Sequence, residues 1–200
     1  MGFNEAWLSI SGLSRDEVLL RMDLSESPDH IQGPETWAPR DGRACLAEFA
    51  DGRWLLFSRD DPFQDESIAH LSEGATVVFG QVIDVVSFTA CTFYENGRKL
   101  WRVEHNPDKQ PRDVIIEGDL PERVKTLIEK NKTASIVERL DPYELPLKAA
   151  QMLGGYRPDE DMPMFDGLSI PVVETAKQAR RREAKASRSG GFLSRLFGGK

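Results

Sequence analysis

The sequence predicts an α+β fold, in which helices pack on a mainly antiparallel β-sheet and a basic tail follows at the C-terminus. Two dipeptides, Asp51-Gly52 and Asn96-Gly97, each separate two β-prone runs. Such dipeptides are the strongest short-range signal of a β-hairpin, because a type I′ turn needs positive φ at both central residues. Helix-capping patterns occur outside these runs. Paired strands in some parts of a chain and helices in others are typical of an α+β domain.

The chain begins with a predicted strand at residues 6–11 and a helix after it. Ser14 is the expected N-cap of this helix, and Glu17 completes a capping box three residues later. Leu13 and Val18 occupy the two positions of a hydrophobic staple. The pattern therefore predicts that a strand and a helix open the domain.

Residues 25–41 form a long segment that contains Ser, Pro and Gly, with Trp37 inside it. We expect a loop here, since these residues interrupt regular structure. Loops of this length often bind other molecules. Trp37 is therefore a candidate partner-binding residue of the body, and the alternative is that its ring covers the core as a lid.

The hairpin at Asp51-Gly52 joins predicted strands at residues 44–50 and 53–58. A two-residue loop places Leu46 opposite Phe57. Both faces of this hairpin are largely apolar. We therefore expect it inside the sheet or covered on both sides.

A short helix is expected after the first hairpin, with Asp61 as its cap and Pro62 at its first position. It ends near Gly74, and residues 75–86 then form a β-rich run. This run leads into the second hairpin, so we expect it to be a strand of the same sheet.

The hairpin at Asn96-Gly97 fixes the expected register of the central strands. A two-residue loop places Phe93 opposite Leu100 and Thr92 opposite Trp101. In that register, Thr92 and Trp101 share the face that we expect to form the core. A shift of one residue would exchange the two faces.

Further elements are expected after the second hairpin. A short strand is predicted at residues 114–117, and Asp119 and Glu122 mark the start of a helix. Another helix is predicted from Pro146 to residue 153, where Gly154-Gly155 ends it.

We divide the chain into an acidic α+β domain at residues 1–170 and a basic tail at residues 171–200. The tail is rich in Ala, Lys, Arg and Glu, which predicts a solvated helix that breaks at residues 187–191. Residues 177–200 hold eight lysines and arginines and one acidic residue, so they carry +7 and the preceding residues −14 of the net charge of −7. An acidic body disfavours nucleic acid as a ligand, whereas the tail would attract a polyanion.

The candidate binding residues of the tail combine its basic run with a short apolar island near the C-terminus. The island occupies positions i, i+1, i+4 and i+5, which a helix gathers on one side. It would bind a partner protein or an anionic membrane surface, dock on its own domain or stay disordered. The tail candidates are Arg180, Arg181, Arg182, Lys185, Arg188, Phe192, Leu193, Leu196 and Phe197.

In the body, Asp159, Glu160 and Asp161 form an acidic run that is a solvated loop or a partner-facing surface. We keep all three as candidate partner-binding residues. Another acidic group around Asp61 lacks the glycine and the distal Glu of a calcium-binding loop. We therefore assign no metal ligand.

No residue is assigned a catalytic role, and no cofactor is expected. Glu104 and His105 are adjacent, but strand alternation places their side chains on opposite faces. A Gly-rich phosphate loop and a G-x-S-x-G nucleophile motif are absent from the sequence. Cys45 and Cys91 lie in predicted strands and are expected to be small apolar core residues. The sequence shows neither a signal peptide nor a long apolar span, which favours a cytoplasmic protein.

Three stretches resemble parts of small, uncharacterised bacterial proteins. They are residues 12–24, the hairpin Asn96-Gly97 with residues 101–105, and Gly-Tyr-Arg-Pro-Asp at residues 155–159. Together they span most of residues 1–165 and leave out the tail. The resemblance implies a bacterial α+β domain, and it implies no activity.

The leading hypothesis is a non-catalytic bacterial protein-interaction module, similar to an immunity or adaptor protein, whose acidic body binds a protein partner. One alternative is a small hydrolase or nuclease-like enzyme without a recognisable motif, because active sites also assemble from distant residues. Another is a peripheral protein that the tail anchors to a membrane surface, such as the inner membrane, and this reading is compatible with either of the others. The oligomeric state is left open.

Overall fold

The computed structural model describes residues 4–32, 39, 41–59, 62–161 and 168–197, the last ten of these by their backbone only. Within these residues the strands are β1 (Asn4–Ser11), β2 (Ser25–Gln32), β3 (Ala44–Glu48), β4 (Trp54–Ser58), β5 (Thr76–Ile83), β6 (Phe88–Glu95), β7 (Arg98–His105), β8 (Ile115–Gly118) and β9 (Ser169–Glu174). The helices are α1 (Arg15–Arg21), α2 (Asp65–Leu71), α3 (Glu122–Thr133), α4 (Glu144–Gly154), α5 (Pro158–Asp161) and α6 (Ala176–Phe197). A single turn of 3₁₀-helix, Asp84–Val86, links β5 to β6.

The strands form one sheet in the order β2-β9-β3-β4-β1-β5-β6-β7-β8. Each neighbouring pair is antiparallel. The predicted α+β fold, with a mainly antiparallel sheet and packed helices, is therefore confirmed. β1 lies in the middle of the sheet and pairs with β4 on one side and β5 on the other.

Hydrophobic side chains fill both faces of the sheet. On one face α3 and α4 pack on alternate residues of the strands, including Trp7, Phe57 and Trp101. On the other face α1 and α2 cover Leu8 and Leu56, among others. The hairpin of β3 and β4 contributes to both clusters, as its two apolar faces predict. Cys45 and Cys91 are free thiols in the first cluster, which confirms their expected core role.

The helix start predicted at Ser14 is present. The Ser14 backbone N–H donates to Glu17 Oε2 over 2.8 Å, and the Glu17 N–H donates back to Ser14 Oγ over 3.4 Å. Val18 is fully buried at the staple position. Local side-chain to backbone hydrogen bonds therefore determine where α1 begins.

The turn at Asn96-Gly97 is confirmed, but the expected register of its strands is wrong. Both central residues have positive φ, 50° at Asn96 and 79° at Gly97, as a type I′ turn requires. Beyond the turn, an extra residue at Leu100 shifts the pairing, so that Phe93 lies opposite Trp101. The two rings stack with their centroids 5.7 Å apart. A β-bulge therefore moves Trp101 to the face opposite the one expected.

A similar shift affects the hairpin at Asp51-Gly52. The Phe49 N–H donates to Arg53 O over 2.8 Å, so three residues rather than two form the loop. Gly52 takes a φ of +81°, while Asp51 keeps a negative φ, which is typical of a type I turn followed by a glycine bulge. As a result, Leu46 pairs with Leu56 and not with Phe57.

Two strands lie where the sequence predicts none. β2 occupies the first half of the expected loop at residues 25–41, and it is an edge strand with little apolar alternation. β9 occupies residues 169–174, so the helix expected from residue 171 begins instead at Ala176. Both strands are missed for the same reason. They pair with each other although they lie far apart in the chain, so no local pattern marks the pairing.

Helix boundaries need three corrections. α2 begins at Asp65 after Gln64, and the expected cap Asp61 lies outside the described residues. α4 begins at Glu144, so Pro146 lies in its first turn, where a missing N–H costs nothing. α6 continues through the predicted break at residues 187–191. The predicted end of α4 is confirmed, since Gly155 takes a left-handed φ of 75°.

Candidate functional site

A cleft of about 250 Å³ opens where three segments of the body meet. Its polar lining comes from Asp84 on the β5–β6 connection, Tyr143 just before α4, and Asp159 in α5. Its apolar lining is made by Val82, Leu147 and Pro158. We call this site the acidic cleft.

The five residues that follow α4 build one side of the acidic cleft. Gly155 reverses the chain with its left-handed backbone, and Pro158 starts the short helix α5. Between them, Tyr156 and Arg157 are both buried. This explains in physical terms the stretch Gly-Tyr-Arg-Pro-Asp: a turn residue, two buried anchors, a helix-starting proline and an acidic residue at the cleft.

The buried Arg157 is the centre of an ion-pair network whose carboxylates are partly exposed. Its guanidinium lies 2.6 Å from Glu144, 2.7 Å from Asp159 and 3.1 Å from Glu160, while its side chain is only 5% exposed. Burial alone would lower the pKa of Arg157, but the hydrogen bonds and charges of Asp159 and Glu144 raise it. The same contacts hold the pKa of Asp159 below its usual range, against the effect of its burial. Both groups therefore stay charged at neutral pH.

The predicted acidic run is folded onto the body rather than free in solvent. Glu160 contacts Lys148 over 3.2 Å, and Asp161 accepts hydrogen bonds from the Arg157 N–H and the Gln151 side chain. The structure thus brings Asp159, Glu160 and Asp161 together beside the acidic cleft. Half of the Asp159 side chain remains exposed.

Several carboxylates gather at the acidic cleft. Tyr143 links its two sides, since its hydroxyl donates to Asp84 and its backbone N–H donates to Asp141 Oδ1 over 2.9 Å. Lys148 and Arg157 pair with carboxylates around the cleft. The six carboxylates at or next to it belong to Asp84, Asp141, Glu144, Asp159, Glu160 and Asp161.

Glu5 lies across the β1–β5 ladder from Val82, and directly paired residues share a face of the sheet. Its side chain is almost fully buried and accepts a hydrogen bond from the Tyr156 hydroxyl over 2.9 Å. Burial raises the pKa of Glu5 to about 8, although the Tyr156 hydrogen bond and the charge of Arg59 act in the opposite direction. Burial and Glu5 also raise the pKa of Tyr156. A neutral carboxylic acid therefore lies next to the cleft at pH 7.

No protein-family model, curated protein or solved structure matches this chain. The resemblance to small bacterial proteins thus remains a prediction, and the acidic cleft is interpreted from the chain's own residues.

The raised pKa of Glu5 predicts that stability depends on pH. Because the folded state binds the Glu5 proton more tightly, its stabilising effect is fully present below the ordinary pKa of 4.5 and is lost as pH rises through about 8. Between these values we expect a loss of about 1.4 kcal/mol per pH unit from this group. Glu5→Gln keeps an oxygen for the Tyr156 hydroxyl and cannot ionise. Urea unfolding across this range should show the variant gaining stability over the wild type as pH rises.

The control for this prediction is Glu48→Gln, since Glu48 is exposed at the end of β3. That variant should track the pH dependence of the wild type. If Glu5→Gln also runs parallel to the wild type, Glu5 ionises normally in the folded protein and the prediction is wrong.

The other residues considered for chemistry are held in structural roles. His105 is buried, with Nδ1 3.3 Å from Asp113 O. Glu104 points to the opposite face, as expected, and pairs with Arg102 over 2.9 Å. Burial raises the pKa of the Cys45 thiol to about 12 and that of Cys91 further still. Within the described part of the chain, no group of three metal-ligating side chains converges.

The tail candidates separate into three groups. Arg182 pairs with buried Glu174 over 2.8 Å and so fastens α6 to β9. Arg180, Arg181 and Lys185 are exposed on the same helix. The remaining candidates, Arg188, Phe192, Leu193, Leu196 and Phe197, belong to α6, but their side chains lie outside the described residues, as does Trp37.

Proposed function

We propose that the protein is an interaction module whose acidic cleft binds a basic segment of a protein partner. The observation that carries this proposal is that one cleft is lined both by carboxylates and by apolar side chains. Lys and Arg side chains consist of an apolar stem and a cationic head. Val82, Leu147 and Pro158 would contact the stem, while Asp84 and Asp159 would pair with the head.

The charge of the whole body supports the same partner class. Residues 1–176 carry −14. Beside the acidic cleft, three carboxylates share the single guanidinium of Arg157. Such a field steers a basic surface toward the cleft and accelerates association at low salt. Nucleic acid would be repelled by it.

Two apolar side chains extend the proposed interface. Val85 and Val86 follow Asp84 on the β5–β6 connection and are 75% and 52% exposed. Exposed valines beside carboxylates provide the mixture of apolar contact and charge that protein interfaces use. The proposed binding surface therefore consists of the acidic cleft and these two valines.

A pair of charge-reversal variants tests the proposal. Asp84→Lys places a cation at the cleft, whereas Glu117→Lys makes the same change on β8 at an exposed carboxylate. Proteins retained from native cell extract at low salt are identified by mass spectrometry for the wild type and both variants. We expect Asp84→Lys to lose the partner and Glu117→Lys to keep it, with retention by the wild type falling steeply as salt rises.

A defined ligand provides a second readout. Titration with arginine amide, followed by the backbone amide signals, should shift Val82, Asp84 and Leu147 in the wild type and leave them unmoved in Asp84→Lys. Equal retention of partners by the two charge-reversal variants, together with no shift at the cleft, would contradict the proposal.

Glu5 favours a second candidate function, that of a small hydrolase. A neutral carboxylic acid near a cleft is a suitable general acid, since its pKa of about 8 lies close to the working pH. Purified protein would then turn over a substrate, and Glu5→Gln would abolish that turnover while preserving the fold. Turnover unaffected by Glu5→Gln would exclude this role for Glu5.

A further inference from the structure

Helix α6 is a second charged surface, separate from the acidic cleft. It contains 22 residues and so extends about 33 Å at the usual rise per residue. Its start is capped locally, since the Thr175 N–H donates to Gln178 Oε1 over 2.8 Å. Its first turns are fastened to the body, because Arg182 pairs with Glu174 on β9. From residue 183 to residue 187 every position is exposed. The helix therefore leaves the body after Arg182.

The exposed part of α6 carries uncompensated positive charge. Arg181 and Lys185 line a groove of about 310 Å³ between α6 and the segment before β3. Two other arginines in this groove are neutralised: Arg43 by Asp29 and Asp41, and Arg182 by Glu174. Among the described residues, Arg181 and Lys185 make no ion pair, so their charges are free to attract an anionic surface.

The far end of α6 adds an apolar component. The backbone stays helical through residue 197. Positions 192, 193, 196 and 197, all Phe or Leu in the sequence, thus follow the basic positions on one continuous helix. No helix in the described part of the chain is long and apolar enough to span a membrane. A helix that combines basic and large apolar residues without spanning is suited to the interface between water and lipid.

We propose that α6 attaches the protein to the surface of an anionic phospholipid bilayer. Its apolar end inserts at the boundary between headgroups and acyl chains, and its basic residues pair with lipid phosphates. Each Lys or Arg near an anionic leaflet raises partitioning about five-fold. The apolar and basic components together give stable, reversible binding, where either alone would be marginal.

Charge complementarity favours a bilayer over other anionic partners. Nucleic acid would pair with the basic residues, but its backbone offers no apolar layer for the Phe and Leu positions. The acidic body is repelled from an anionic leaflet, so α6 approaches first and the body stays in solution. The acidic cleft then remains accessible to a protein partner, although the two proposals do not depend on each other.

Co-sedimentation with vesicles tests the attachment. One set contains phosphatidylcholine alone, and the other contains about one-third phosphatidylserine. The full chain is compared with a chain ending at Ser187. This shorter chain keeps the Arg182–Glu174 pair but lacks the apolar end and three cations, Arg188, Arg195 and Lys200. We expect the full chain to sediment with the anionic vesicles only and the shortened chain to lose more than about 100-fold in binding.

Two sets of substitutions separate charge from insertion. Replacing Arg180, Arg181 and Lys185 together by Gln should weaken anionic-vesicle binding about 100-fold. The matched control replaces three exposed lysines of the body by Gln, which should change binding by less than about three-fold. Those lysines are Lys99, Lys125 and Lys132. Leu196→Asn, which leaves the net charge unchanged, should also lose binding. Circular dichroism and the thermal midpoint establish that each variant is folded.

Several outcomes would overturn the attachment. They are equal sedimentation of the full and shortened chains, equal binding to neutral and anionic vesicles, and equal losses in the two sets of charge substitutions. Tighter binding to double-stranded DNA than to anionic vesicles at the same salt would assign α6 to nucleic acid instead.

Discussion

Gly80→Ala is expected to destabilise the protein by about 3 kcal/mol, although it adds a single methyl group. Gly80 pairs with Trp7 across the β1–β5 ladder, and a Cβ at this position would overlap Cε2 and Cζ2 of the indole ring. Trp7 is fully buried and packs edge-on against Tyr156, with ring centroids 5.7 Å apart. The ring therefore has no free space into which it could move. The thermal midpoint should fall by roughly 6–12 °C.

A comparison of variants isolates the overlap at Gly80. Gly154→Ala also adds a methyl group at a buried site, but the nearest atom is the Ser9 Oγ at 2.8 Å, and alanine favours the helix. We expect a smaller loss there. Trp7→Phe removes one of the overlapping atoms, so the double variant with Gly80→Ala should lose less stability than the sum of the two single variants. Strictly additive losses would show that the indole ring does not occupy the space above Gly80.

Arg157→Ala should cost about 2–3 kcal/mol, because it removes the charge-assisted hydrogen bonds of a buried guanidinium and leaves its site unfilled. Glu144, Asp159 and Glu160 all lie within 3.1 Å of this guanidinium. Without it, Glu144 in the first turn of α4 and Asp159 and Glu160 in α5 would lose the cation that they share. These carboxylates are partly exposed, so water would offset some of the loss. Arg157→Lys keeps the charge but not the forked geometry, so we expect it to restore only part of the stability.

Urea unfolding of Arg157→Ala and Lys125→Ala at one pH checks this expectation. Lys125 pairs with Asp119 over 2.7 Å at the surface, where an ion pair contributes less than about 1 kcal/mol. Similar losses in the two variants would mean that the Arg157 network contributes no more than a solvent-exposed pair.

The sequence predicts the features of the fold that local chemistry determines. The capping box at Ser14 and the left-handed turn at Asn96-Gly97 depend on residues within a few positions of each other, and both are present. The strand registers depend on bulges at Leu100 and Gly52. At Gly52 the bulge belongs to the turn itself, and Asp-Gly is compatible with both a two-residue and a three-residue loop. At Leu100 the bulge lies inside the ladder, where no local pattern marks it. Both registers are therefore shifted by one residue.

The candidate site, like the fold, contains residues that a local sequence pattern marks and residues that it does not. The acidic run at Asp159 can be seen in the sequence, and it does lie at the cleft. Its partners Asp84 and Tyr143 are distant in the chain and give no signal. Glu5 could have been suspected, because it shares the buried face of β1 with Trp7 and a carboxyl at a core position is costly. The predicted strand began one residue too late to include it.

The position of β9 has a consequence for the synthesis of the protein. β9 lies between β2 and β3, so β2 pairs with nothing else in the described sheet, and β3 is left as an edge until β9 arrives. On a ribosome, β2 emerges early and then waits for residues 169–174. One end of the sheet therefore stays open during most of translation. An open edge pairs readily with strands of other chains. We therefore expect the folding of this chain to depend more on chaperones that cover such edges than is usual for a chain of its length.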